Sequence, residues 1–261
     1  AMTSADANIA NMYKQLCDEV GCKMVFQGMS FNDYASYGTI AQKAAACVSR
    51  VKLMGGSQYI AWLEGMNEVD LNLWRFGAAN NAAAISMMVD MHTQCYNALK
   101  ADSATSGIFI AAPSCTNTNG QISTDVNTAI QGMSSKYDAG NARWYSGKWE
   151  PNMPLSGVDG NGYGTIEKEI SNARATAGGK TPVVITECGY HNGILVTLGH
   201  LPVREDTASL YMPDVFTRPY SQGARVVTNY QITDFITQDG RTQTDKSIDQ
   251  ENFGYPVSYT H

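Results

Sequence analysis

Six short apolar runs, each leading through a polar or glycine-rich loop into a helix-like segment, set the frame for this chain. The runs are CKMVFQGMSF (22–31), SQYIAWLEGMNEVD (57–70), SGIFIAAPSC (106–115), NARWYSGKW (141–149), TPVVITECGY (181–190) and ARVVTNYQITDF (224–235). Helix-like stretches near 6–20, 38–53, 77–101, 122–135, 162–177 and 205–221 lie before and between them. Strands that are apolar on both faces and alternate with helices form a parallel sheet covered by helices. The fold class is therefore α/β. No linker, charge block, low-complexity tract or close repeat breaks the 261 residues, which read as one domain over 1–261.

Successive runs begin roughly 35 to 50 residues apart, enough for a βα unit with a generous loop. Doubly wound sheets and TIM-type β/α barrels both fit. No GxGxxG follows the first run and no GxxxxGK[ST] occurs, which removes the nucleotide-binding folds that carry those fingerprints. The informative residues fall just after the runs, where a barrel keeps its active site, so the barrel is favoured. Its strand count is short. Six of eight strands are visible, and eight units of about 40 residues would need more than about 300. The expectation is a barrel without its first strands, whose open edges would seek a partner, a second copy of the chain included.

Composition narrows the partners. A net charge of −6 opposes a nucleic-acid partner, which wants a basic stripe. No Lys/Arg run offers an electrostatic membrane anchor, and no apolar run approaches the roughly 18 residues of a membrane span. The opening AMTSADAN shows neither the basic nor the apolar region of a signal peptide. The six cysteines form no CxxC, and no histidine stands at zinc-finger spacing, so no structural metal is expected. Cys17 and Cys22, five apart across a helix end, could bridge in an oxidising compartment. The cysteines read equally well as small buried thiols.

Two of the runs end in a carboxylate. WLEGMNEVD carries Asn67 and Glu68, and VVITECGY carries Glu187, three βα units later. Either pair of letters alone is common. Together they place two carboxylates at strand ends on one barrel face, which suits glycoside hydrolysis: about 5–5.5 Å apart for a retaining double displacement, more for inversion. One carboxyl must stay protonated to assist the leaving group while the other stays ionised to attack. Alternation points Cys188 away from the site if Glu187 points in. Glu64, four residues before Glu68, reads as a deeper structural carboxylate. Asp70 and Asp234 read as loop partners, since no DxDxDG loop supports calcium. Trp62 falls mid-strand and reads as core, whereas Trp74 and Trp149 follow strands and could offer an aromatic face to a sugar.

In these stretches, EGMNEVD, IFIAAPS, PVVITECGYH, YQITDF and the NFGY behind them, the chain resembles the glycoside hydrolases of clan A, over roughly residues 55–255. The resemblance implies a TIM-type barrel with Glu68 as acid/base ending strand four and Glu187 as nucleophile ending strand seven. It implies that Asn67 hydrogen-bonds the sugar 2-hydroxyl, and that strands one and two are the missing ones. Many members carry a His-x-Tyr element whose aromatic hydroxyl holds the nucleophile. Here that stretch reads ARWYSGKWEPN without a histidine, and Tyr145 is the substitute. Where members often show a tryptophan on strand eight, this chain has Tyr230. Tyr190 and His191, just past the nucleophile, are cleft candidates. The activity implied is a retaining hydrolase of β-linked oligo- or polysaccharide, without cofactor or metal, in a secreted or extracellular setting. The alternative is a catalytically silent carbohydrate-binding or interaction module built from the same barrel. An aldolase-type barrel ranks last, with Lys148 as its one nearby strand-end lysine.

Overall fold

The computed structural model describes residues 4–29, 38–117, 120–147, 150–152, 165–179, 182–190 and 203–229. Every expected strand forms within them: β1 (Met24–Phe26), β2 (Ile60–Leu63), β3 (Phe109–Ile110), β4 (Gly140–Trp144), β5 (Val183–Cys188) and β6 (Ala224–Asn229). So does every expected helix: α1 (Ser4–Val20), α2 (Ile40–Leu53), α4 (Asn81–Ala101), α5 (Gly120–Gly132), α6 (Ile166–Thr176) and α7 (Glu205–Ser221). A one-turn helix α3 (Val69–Asn72) follows β2. The strands fall into two three-stranded parallel sheets, β1-β2-β3 and β4-β5-β6. A closed barrel is not among the pairings of the described residues. The chain forms two compact units, Ala1–Asn141 with Arg174–Thr181, and Ala142–Ala173 with Pro182–His261.

In the first unit, Met24 pairs with Ile60 and Phe26 with Leu63, while Leu63 also pairs with Ile110. The strands are shorter than the apolar runs. The residues that follow them are buried too, so hydrophobicity continues where the ladder stops: Met66 and Ala112 lie beyond β2 and β3 yet are inaccessible. The covering helices start where the sequence can satisfy their first amides. Thr39 Oγ1 accepts the Gln42 amide at 3.2 Å and Gln42 Oε1 accepts the Thr39 amide at 2.9 Å, a reciprocal capping box on α2. Asn80 Oδ1 caps α4 through the Ala83 amide at 2.9 Å. Val51 of α2, Met88, Met91 and Leu99 of α4, and Leu63 and Ile110 of the sheet then share one core. Trp62, expected in that core, is only half-buried. It stacks on the exposed Phe109 across the strand pair, ring centroids 4.9 Å apart, because it alternates with the buried Leu63.

The second unit repeats the arrangement. Val183 pairs with Ala224 and Ile185 with Val227. Val183, Val184 and Ile185 are all buried, as a parallel strand covered on both faces requires. Ile170 of α6, Met212 and Val215 of α7, and Trp144 of β4 complete its core.

One core residue of the first unit gives stability a pH dependence. His92 on α4 is fully buried, and its Nε2 lies 2.9 Å from the Lys136 carbonyl oxygen. A carbonyl only accepts, so Nε2 carries the hydrogen and Nδ1 is the nitrogen left to take a second proton. Nδ1 is buried without a partner among the described residues. Desolvation therefore holds the ring's pKa down at about 4, against 6.5 in an unfolded chain. With the native pKa depressed, the unfolded chain binds the extra proton first. Stability is full above about pH 6.5 and declines as pH falls toward 4, by about 3 kcal/mol. Denaturant titrations from pH 7 to 4 should show this slope in the native sequence and a shallower one in His92→Gln.

Candidate active site

Glu187 stands near the carboxyl end of β5, half-buried between the buried Thr186 and Cys188. Its two oxygens have different partners. The guanidinium of Arg143 makes an ion pair with Oε2, and the hydroxyl of Tyr145 donates to Oε1. Arg143 lies on β4 and Tyr145 just past it, two residues apart, so strand alternation sends both side chains to the face that meets Glu187. The Arg143 side chain is 3% exposed and that of Glu187 20%. Here the carboxylate is charge-compensated on one oxygen and hydrogen-bonded on the other, with its remaining edge toward solvent.

Arg143 is the member that reading the sequence overlooked. Its signal was present: a lone arginine inside an apolar strand run, at the same parity as Tyr145. A buried guanidinium demands an anionic partner, and the only question was which one.

Glu68 lies beyond the end of β2 rather than on it. Gly65 takes the chain out of the sheet where it presses on the next strand's loop; a Cβ there would sit 2.4 Å from the Ala112 carbonyl oxygen. Glu68 itself has φ 45° and ψ 56°, the left-handed region, directly before α3. Glutamate gains nothing from this conformation, so its surroundings must impose it. Ser114, in the loop after β3, does so from two sides. Its Oγ accepts the Glu68 amide at 2.8 Å, and its carbonyl accepts the Val69 amide at 3.0 Å. The Ser114 amide donates in turn to the Met66 carbonyl at 2.8 Å, and Asn72 Nδ2 donates to the Glu68 carbonyl at 2.9 Å. Asp70 anchors the same turn from below. It is buried and accepts the Thr116 amide, the Thr116 hydroxyl and the Ser123 hydroxyl at 2.9, 2.7 and 2.6 Å. That is a structural role, and among the described residues no group of three or more His, Cys, Asp or Glu could hold a metal. Glu64 is likewise buried, at the exit of β2.

Asn67 is half-buried, with its Oδ1 shielded from solvent and without a hydrogen-bond partner among the described residues. Trp74 is 73% exposed, one face of its indole covered by the Arg75 guanidinium 4.9 Å from the ring centroid. Tyr190 departs from its expected place on a cleft wall. It is buried in the second unit's core, edge-on to Trp144 and against Tyr211, and burial pushes its hydroxyl pKa well above 10. The reason is parity: Tyr190 is two residues past Cys188, whose buried thiol faces the Thr228 carbonyl at 3.4 Å. Trp149, His191 and Tyr230, with Lys148 and Asp234, lie outside the described residues.

Two stability measurements check this geometry. Arg143→Met strands the Glu187 charge in a partly desolvated place and should cost the second unit about 2–4 kcal/mol in chemical denaturation, whereas Tyr145→Phe should cost about 1. Glu68→Gly, by relieving the left-handed strain, should leave stability unchanged or raise it by up to about 1 kcal/mol.

No protein-family model matches the chain, and no curated protein does. Solved structures do resemble it. Fungal β-1,4-galactanases align with a TM-score of 0.57 at 9% identity, over 86% of this chain and 72% of theirs. A calcium-binding mutant of Bacteroides uniformis β-glucuronidase 2 aligns with a TM-score of 0.51 at 14% identity, over 82% of this chain but 23% of its own. A glucosidase from Croceicoccus marinus gives 0.51 at 11% identity, over 82% and 42%. The chain thus spans under a quarter of the β-glucuronidase and under half of the glucosidase. At these identities the likeness is one of fold alone, shared with the galactanases, the β-glucuronidase and the glucosidase.

Proposed function

We propose that the chain is a β/α-barrel glycoside hydrolase that cleaves β-linked oligo- or polysaccharide with retention. The observation that carries this reading is the Glu187 carboxylate, clamped at a strand end by Arg143 and Tyr145 in a chain with a glycosidase-like fold. A nucleophile must be ionised, aimed and partly exposed. The ion pair favours charge on the carboxylate, the two contacts fix its orientation, and its open edge leaves room for the anomeric carbon.

In the proposed cycle Glu187 attacks the anomeric carbon as Glu68 gives its proton to the departing glycosidic oxygen, leaving a glycosyl ester on Glu187. Glu68, now a carboxylate, takes a proton from water, whose oxygen displaces Glu187 and restores both groups. Asn67 Oδ1, buried without a partner among the described residues, would accept from a sugar hydroxyl beside the reacting carbon. Breaking the glycosyl ester requires Glu187 to leave as a carboxylate, and Arg143 stabilises that leaving group. Trp74, 73% exposed and six residues past Glu68 in the chain, would offer a sugar platform. The carbohydrate partner and an extracellular setting belong to this same proposal.

Reducing-sugar release from β-1,4-galactan, β-glucans, mannans, xylans and β-glucuronides tests it. Glu187→Gln and Glu68→Gln should each lower turnover of the cleaved substrate by more than about 10³-fold. A 2-deoxy-2-fluoro glycosyl fluoride, which loses fluoride readily but whose glycosyl ester hydrolyses slowly, should add one fluoroglycosyl mass at Glu187. Near-native turnover in either variant would sink the assignment. Binding of these polysaccharides without cleavage would favour the silent carbohydrate-binding module instead.

A further inference from the structure

All six cysteines are thiols in this structure, and four of them meet in two pairs. The first pair is made by the end of α1. Gly21, at φ 70°, turns the chain, and the amides of Gly21 and Cys22 both donate to the Cys17 carbonyl, at 2.9 and 3.0 Å. The bond from Cys22 back to Cys17 is the six-to-one closure of a Schellman turn, an arrangement that brings the side chains of its first and last residues together. Those two residues are the cysteines, and the turn sets their thiols close enough to perturb each other. Cys17 is buried and Cys22 exposed.

The second pair joins two helices. Cys47 shares the buried face of α2 with Ala44 and Val51, and Cys95 shares that of α4 with Met88, Met91 and Leu99. The two faces pack together, both thiols are inaccessible, and the two sulfurs lie close enough to perturb each other. The remaining cysteines meet no thiol. Cys115 faces the Ser123 carbonyl at 3.8 Å and Cys188 the Thr228 carbonyl.

We infer that Cys17–Cys22 and Cys47–Cys95 are the two disulfide sites of this protein, closed by exchange with a small-molecule disulfide, and that Cys115 and Cys188 stay reduced. One protein thiol loses its proton to solvent and attacks a sulfur of the small disulfide, expelling one small thiolate. The second protein thiolate then displaces the other small thiolate from the mixed disulfide. Two protein thiols are oxidised and one small disulfide is reduced to two thiols. Exposed Cys22 starts this exchange in the folded chain, whereas Cys47 and Cys95 are reached while α2 and α4 are still coming together. The consequences for stability are unequal. Cys17–Cys22 closes a loop of about six residues, while Cys47–Cys95 closes one of about 50 and removes far more freedom from the unfolded chain.

Refolding the full chain in a glutathione redox buffer, followed by thiol titration and a non-reducing peptide map, tests the assignment. Two titratable thiols with bridges 17–22 and 47–95 are expected. The oxidised protein should melt roughly 5–10 °C above the reduced one. Cys95→Ala should lose most of that increment, and Cys22→Ser, a surface change, should keep the larger part of it while removing one bridge. Four or six titratable thiols after refolding, or any bridge to Cys115 or Cys188, would overturn the inference.

Discussion

Parallel pairing obliges a chain to cross back over its sheet between every two strands, because no hairpin can join strands that run the same way. In both units that crossing is a helix whose apolar stripe covers the sheet, so the strands are buried and their sequences read as continuous apolar runs. Polar chemistry is then excluded from the strand interiors and collects where strands stop. Within the first unit the loops after β2 and β3 leave the sheet side by side and carry Glu68, Ser114, Asp70 and Thr116. Within the second, the carboxyl end of β5 carries Glu187.

The two glutamates are held by opposite physical means. Glu187 is fixed through its side chain, by a guanidinium that is itself almost entirely desolvated. Removing either partner strands the other, so the pair constrains the local structure whatever its net contribution to stability. Glu68 is fixed through its backbone, in a conformation that costs of order 1 kcal/mol and that four hydrogen bonds around the turn, three of them made by Ser114, sustain.

Helices, strands and their order were legible because burial on both faces leaves an unmistakable pattern. Strand ends were not. IFIAAPS stays apolar well past the two residues of β3, since the buried loop after it has the same solvent preference as the strand. The parity rule that turned Cys188 inward also dictates a buried Tyr190, and the same rule ties Arg143 to Tyr145. Both were readable, and both depend on knowing which face is covered. The left-handed backbone of Glu68 left no trace in the sequence, because no glycine marks it and its cause lies in Ser114, far along the chain.

That dependence on Ser114 has a consequence for anyone who would alter the protein's preferences by exchanging loops. The segment after β3 looks like an independent, replaceable surface element, yet it serves as the template on which the neighbouring turn is cast. A graft that keeps its length but not the hydroxyl and carbonyl of Ser114, or the Thr116 contacts to Asp70, would release Glu68 to a relaxed backbone and re-aim its side chain. Loop variation here is therefore coupled to the position of a carboxylate on a different loop.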